Sequence, residues 1–136
     1  MKTEKTMTNR FYQNLGKLFY AVAAADKAVK PAEINKLRDI VKTEWLEVDA
    51  LEDEFHTDAA YQIEIVFDYL NTEAPLDSEL CYTAFMDYRK EQAHLFTEDI
   101  TQLILKTARA IASAFSGLNK SELIMLAKLE KALKNK

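Results

Sequence analysis

Two acidic residues flank the first predicted turn of the chain at a spacing known from cation sites. Asp26 and Glu33 lie seven residues apart, the gap between the fifth and twelfth positions of a calcium-binding EF-hand loop. Val22 and Ala24 stand where that loop supplies oxygen ligands, and Lys27 replaces its glycine. The pattern therefore argues against an EF-hand. It leaves weak Mg²⁺ or Ca²⁺ binding by Asp26 and Glu33, with carboxylates from the middle of the chain, as one hypothesis.

The other hypothesis for Glu33 is a structural role at the start of a helix. A glutamate in the first helical turn accepts hydrogen bonds from backbone N–H groups and interacts favourably with the helix dipole. Asn119 and Glu122 repeat this arrangement near the end of the chain, at the spacing of a capping box. We predict capping for both glutamates and keep the metal site at Asp26 and Glu33 as the alternative.

Histidine and cysteine offer little further chemistry. His56 and His94 each follow an acid by three residues, a spacing used in diiron helical bundles, but both are expected beside helix ends, at the surface. The single cysteine, Cys81, has no partner for a disulfide or a zinc site and is interpreted as a core residue. Motifs for hydrolysis or phosphate binding are also missing, so the sequence predicts a protein that is not an enzyme and has no cofactor.

Charge is segregated along the chain. Residues 43–88 contain thirteen Asp and Glu and no Lys or Arg, although the whole chain has a net charge of only −4. This acidic segment either presents a contact surface to a cation or a basic partner, or packs beside the basic ends and is neutralised there. The acidic balance predicts no binding to nucleic acid.

Hydrophobic periodicity predicts an all-α domain over residues 1–136, built as a six-to-seven-helix bundle. With two Gly and two Pro, the chain is poor in turn formers, which argues against a β-sandwich or barrel. We expect helices near 9–25, 31–45, 58–70, 78–93, 98–115 and 120–135, with Thr57-Asp58, Asp77 and Thr97 as N-caps. The stretch 61–65 also alternates like a strand. The predicted inward positions are Phe11, Leu15, Leu18, Phe19, Val22, Ile34, Leu37, Ile40, Val41, Trp45, Ile63, Val66, Phe67, Leu70, Leu80, Cys81, Ala84, Phe85, Tyr88, Ile100, Leu103, Ile104, Thr107, Ile111, Phe115, Leu123, Leu126, Leu129 and Leu133.

An internal repeat links the two ends of the chain. A shift of 89 residues places Val22 on Ile111, Leu37 on Leu126, and Glu33 on Glu122. Two helix–turn–helix units of similar design, at about 9–45 and 98–135, are therefore predicted to bracket the acidic middle helices.

The turn motifs carry a resemblance to a known family. Ala25-Asp26-Lys27-Ala28-Val29-Lys30-Pro31-Ala32-Glu33 resembles the signature of the TerB-like domains of tellurite resistance, and 114–122 resembles its second copy. The resemblance implies an all-helical cytoplasmic bundle, linked to stress response and protein assemblies, whose acidic residues are proposed to hold a cation. The chain departs from the family at Lys27, a glycine there, and at Phe115, an aspartate there.

The expected function is a non-enzymatic, TerB-like interaction module in a cytoplasmic stress-response or envelope-associated assembly. The alternative is a weak divalent-cation sensor that uses Asp26, Glu33 and carboxylates of the acidic segment. The polar start of the chain and the lack of a long apolar run predict neither a signal peptide nor insertion into a membrane. A protein partner is expected, but no residue pattern identifies it or the oligomeric state.

Overall fold

The computed structural model describes residues 9–25, 31–45, 61–72, 77–114 and 120–134. These residues form α-helices and no strand, which confirms the predicted all-α bundle. The six helices are α1 (Asn9–Ala23), α2 (Pro31–Ile40), α3 (Gln62–Thr72), α4 (Ser78–Glu91), α5 (Glu98–Ser113) and α6 (Lys120–Lys134). A π-helical turn, Val41–Trp45, follows α2, and a 3₁₀ turn, Ala93–Leu95, follows α4.

Helix α1 lies at the centre of the bundle. Between Phe11 and Ala24 every residue is buried except the half-buried Gln13 and Lys17. A helix that is buried nearly all round must be enclosed by others, and α1 contacts α3, α4, α5 and α6. The sequence predicted an apolar stripe here, and the structure extends burial to the remaining sides of the helix.

Helices α1 and α3 are in close contact at Gly16. A Cβ atom at this position would lie 2.8 Å from the carbonyl oxygen of Ile63 and 2.9 Å from Cβ of Val66. One turn away, Gln13 Nε2 donates a hydrogen bond of 3.0 Å to Gln62 Oε1. Since any larger residue at Gly16 would collide with the backbone of α3, these contacts restrict which side of α3 faces inward.

Trp45 joins three parts of the bundle. The π-helical turn places its fully buried ring near Tyr12 and Phe19 of α1, at centroid distances of 6.5 and 6.4 Å. Its Nε1 donates a 3.0 Å hydrogen bond to Thr107 Oγ1 of α5. The predicted second helix does reach Trp45, but its last turn is π-helical, a local widening that sequence periodicity does not reveal.

The predicted caps of α4 and α5 are confirmed. Asp77 Oδ1 accepts a 2.8 Å hydrogen bond from the backbone N–H of Glu79, and Thr97 Oγ1 accepts one of 3.3 Å from Ile100. The predicted cap at Asp58 lies outside the described residues. The alternating stretch 61–65 belongs to the start of α3 and forms no strand.

Two predicted core positions are wrong. Leu80 is 63% exposed and Leu123 is 49% exposed, whereas their neighbours Tyr82 and Met125 are buried. The other predicted positions of both helices are buried or half-buried, so the error is confined to one edge of each stripe, where tertiary packing selects among neighbouring apolar residues. Phe115 lies outside the described residues.

The predicted repeat is matched by burial at some positions and not at others. Leu37 and its counterpart Leu126 are both buried, whereas Ile34 is partly buried and its counterpart Leu123 is exposed. The two units thus share part of a burial pattern, and the internal repeat itself stays a prediction.

Candidate interaction surface

Of the two predicted metal ligands, the structure describes Glu33 alone. Glu33 lies in the first turn of α2, is 1% exposed and has an interaction partner, as a carboxylate buried to this extent requires. Asp26 lies outside the described residues. Within the described ranges, no group of three or more His, Cys, Asp or Glu side chains is placed to hold a metal ion. Cation binding by Asp26 and Glu33 therefore stays a prediction.

The pair with diiron spacing lies at the surface. His94 is exposed in the 3₁₀ turn, and the exposed Glu91 has its Oε1 3.7 Å from Nη2 of Arg10. A diiron site needs such side chains to project into the bundle, and neither does. His56 lies outside the described residues.

Cys81 is buried, as predicted. Burial raises the pKa of its thiol, an effect that Lys17 partly opposes and Asp77 reinforces. A thiol with a raised pKa is protonated and a poor nucleophile near neutral pH, so Cys81 serves as a core residue.

Carboxylates of the acidic segment are paired with the basic parts of the chain that flank it. Glu44 Oε2 lies 2.8 Å from Nζ of Lys106 on α5, and Glu79 Oε1 lies 3.0 Å from Nζ of Lys128 on α6. Lys128 also sits over the ring of Tyr82, 4.7 Å from its centroid. Neutralisation within the fold, one of the two sequence hypotheses, therefore holds for these described carboxylates.

The two carboxylates of α3 share one guanidinium from α2. Arg38 Nη2 donates a 2.8 Å hydrogen bond to Asp68 Oδ2, and its Nε lies 3.7 Å from Glu64 Oε1. Burial raises the pKa of Glu64, Arg38 lowers it, and Asp68 raises it. Both acids of α3 are thus directed toward α2.

The side of α3 that adjoins these two acids carries exposed residues without charge. Ile65 is 55% exposed, Tyr69 is 56% exposed, and Tyr61, directly before the helix, is 39% exposed. A spacing of four residues places the three side chains along one side of the helix, and the remaining exposed residue of α3 is Thr72. We call Tyr61, Ile65 and Tyr69 the α3 outer face.

No other described helix has an exposed side of this kind. On α5, for example, the exposed residues are polar or charged: Glu98, Asp99, Gln102, Lys106, Arg109 and Ser113. Leu80 on α4 and the exposed Leu123 and Ile124 on α6 share their helices with exposed charged residues. Helix α3 has the reverse polarity, with charges turned toward its neighbour and apolar groups turned outward.

The α3 outer face was not predicted from the sequence. The signal was present as Tyr61-x₃-Ile65-x₃-Tyr69, a second apolar stripe beside the inward one of Ile63, Phe67 and Leu70. A helix that is apolar on two sides is expected to make contacts on both. Because residues 61–65 also alternate like a strand, this second helical stripe was not recognised.

Comparisons with known proteins return no relative. No family model, curated protein or solved structure matches the chain, so the TerB-like resemblance stays a prediction that rests on the turn motifs alone. In the part of the chain that the structure describes, every helix is too short or too polar to cross a bilayer. Fold and surface together define an all-helical bundle with one uncharged outer face.

Proposed function

We propose that this protein is a non-enzymatic interaction module that docks a protein partner on the α3 outer face. The reversed polarity of α3 carries the proposal. Its acids pair with Arg38, which leaves Glu64 mostly buried and Asp68 half-exposed, and two tyrosines and an isoleucine take the exposed positions. Tyrosine is enriched at protein interfaces, because its ring supplies apolar contact area while its hydroxyl tolerates water.

The exposed area is large enough to support docking. About half of each side chain is exposed, and a side chain of this size presents roughly 200 Å² when fully exposed, so the face offers about 300 Å². Covering it gains roughly 5–8 kcal/mol before the costs of association. This is the low end of the size of the largest apolar patch on a typical monomer, a patch that is often functional.

The setting is part of the same proposal. The turn motifs that resemble TerB-like domains support a cytoplasmic stress-response or envelope-associated assembly as the place of action. Four described acids of the middle segment, Glu44, Glu64, Asp68 and Glu79, form ion pairs within the fold, so the contact is assigned to the α3 outer face and not to acidic charge. The cation-sensor alternative gains no further support, because Glu33 already has a partner.

Site-specific photo-crosslinking in the producing cells tests the proposal. A photoreactive phenylalanine analogue replaces Tyr69, and a matched variant carries it at Thr83, an exposed position on α4. In the full-length chain, we expect crosslinked adducts when the analogue is at position 69 and none when it is at position 83. Only position 69 lies on the docking surface.

A charge substitution provides the specificity control. Ile65→Arg, one turn from the crosslinker, should abolish the adducts from Tyr69. Leu80→Arg makes the same chemical change at an exposed leucine of α4 and should leave them in place. Equal labelling at positions 69 and 83, or adducts from Tyr69 that survive Ile65→Arg, would refute docking on this face.

A further inference from the structure

We infer that the partner on the α3 outer face is a second copy of this chain, related to the first by a two-fold axis that passes beside Ile65. This inference rests on the proposed function and names its partner. The face reads the same in both directions, as tyrosine, isoleucine and tyrosine at equal intervals of four residues. In a two-fold interface, residue i of one copy meets residue j of the other while j meets i. Two antiparallel α3 helices centred on Ile65 thus place isoleucine against isoleucine and Tyr61 against Tyr69.

The absence of charge favours a second copy over an unrelated partner. A residue on a two-fold axis faces its own copy, so a charge there would meet a like charge and weaken the dimer. An unrelated partner could supply an opposite charge and would impose no such restriction. The three residues of the face itself, Tyr61, Ile65 and Tyr69, are uncharged, and the half-exposed carboxylate of Asp68 beside them is paired with Arg38.

The flank of the face is also self-complementary. Arg38 and Asp68 keep half-exposed side chains, 50% and 44%, and both lie on the α2 side of α3. When antiparallel helices pack face to face, the two-fold axis brings the same flank of both copies together. The guanidinium of one copy then lies beside the carboxylates of the other, so each flank offers both signs of charge to its equivalent.

The geometry and size of the face define the kind of dimer. Side chains at intervals of four form a single ridge, and packing of such ridges gives helices that cross at about −50°. The three side chains supply about 300 Å² per copy, which is about half of the roughly 600 Å² per partner found at the low end of specific complexes, so the polar rim must supply the rest. We therefore expect a weak dimer that forms with rising protein concentration.

Sedimentation velocity on the full chain tests the dimer. Over a range of roughly 10 µM to 1 mM, the weight-average sedimentation coefficient should rise from the monomer toward the dimer value. Ile65→Arg should raise the dimer dissociation constant by at least about 30-fold, because it places two like charges on the axis. Leu80→Arg should leave the dissociation constant unchanged. The melting temperature, measured at a concentration where all forms are monomeric, should be the same for the three proteins and thereby exclude misfolding.

Charge complementation tests the two-fold axis itself. Ile65→Glu and Ile65→Lys should each be monomeric alone and should form a mixed dimer when combined, because the two substituted residues face each other. A wild-type chain that stays monomeric at the highest concentration, a mixture that does not associate, or equal loss from Leu80→Arg would overturn the second-copy inference.

The crosslinking experiment separates this inference from the proposed function. Adducts from Tyr69 with the mass of two chains support a second copy. Adducts of another mass overturn the second copy and leave docking on the α3 outer face standing. The lack of any adduct refutes both.

Discussion

Removal of the hydrogen-bond acceptor for Trp45 should destabilise the protein measurably. Trp45 and Thr107 are both fully buried, and Nε1 of the indole donates to the threonine hydroxyl at 3.0 Å. Thr107→Val keeps the shape of the side chain, so it leaves no cavity and only removes the acceptor. A buried donor without an acceptor costs about 1–3 kcal/mol. The Thr107 hydroxyl also donates a 2.8 Å hydrogen bond to the Leu103 carbonyl. Loss of this second hydrogen bond adds little, because a carbonyl inside a helix also accepts a hydrogen bond from a backbone N–H.

Urea and thermal unfolding measure this cost. For a chain of this length, we expect the melting temperature to fall by about 3–10 °C. Trp45 is the only tryptophan in the chain, so its fluorescence reports directly on the altered pocket, and circular dichroism follows global unfolding.

A double-mutant cycle isolates the hydrogen bond from other effects. In a Trp45→Phe background no indole N–H remains, so Thr107→Val should be nearly neutral there, with a coupling energy of about 1–2 kcal/mol. A cost below about 0.5 kcal/mol in the wild-type background, or the same cost in both backgrounds, would refute this reasoning.

Two further predictions concern the placement of α3. Gly16→Ala should lower the free energy of unfolding by about 1 kcal/mol or more, because overpacking against the Ile63 carbonyl outweighs the better helix propensity of alanine; a gain in stability on urea unfolding would show that the helices are not in close contact there. Glu64 has a raised pKa in the folded state, chiefly because of burial, so its ionisation opposes folding once the pH exceeds the usual value of 4.5. The stability of the wild type relative to Glu64→Gln should therefore fall as the pH rises from below 4.5 through the raised pKa, and urea unfolding at several pH values checks this; a relative stability that rises over that range would contradict the dominance of burial.

Local signals in the sequence predict much of the fold. The stripe of α1, the caps at Asp77 and Thr97, and the buried Cys81 were all read from spacing and residue type. These features depend on the chemistry of a few neighbouring residues, such as a side-chain oxygen within reach of a free N–H group. Local rules therefore suffice for them.

Rotation of a helix about its own axis depends on distant contacts. The sequence predicted Leu80 as an inward residue of α4, whereas Leu80 is exposed and Tyr82, which was not predicted, is buried. The inward side of α3 was predicted correctly, since Ile63, Phe67 and Leu70 are buried. Its outer face is also apolar, and hydrophobicity alone did not show that this second stripe faces solvent.

The contacts that settle the rotation of α3 come from two other helices. On one side, the absence of a side chain at Gly16 lets the backbone of α3 pack against α1. On another side, Arg38 forms ion pairs with Glu64 and Asp68. Together they turn Tyr69 and Ile65 to solvent and fix them on a rigid element of the bundle. A face that is held in place before binding loses little conformational entropy on docking, so even a small area can support association. The ion pair with Arg38 thus does more than neutralise two acids, because it also keeps charge away from the line along which two α3 helices would meet.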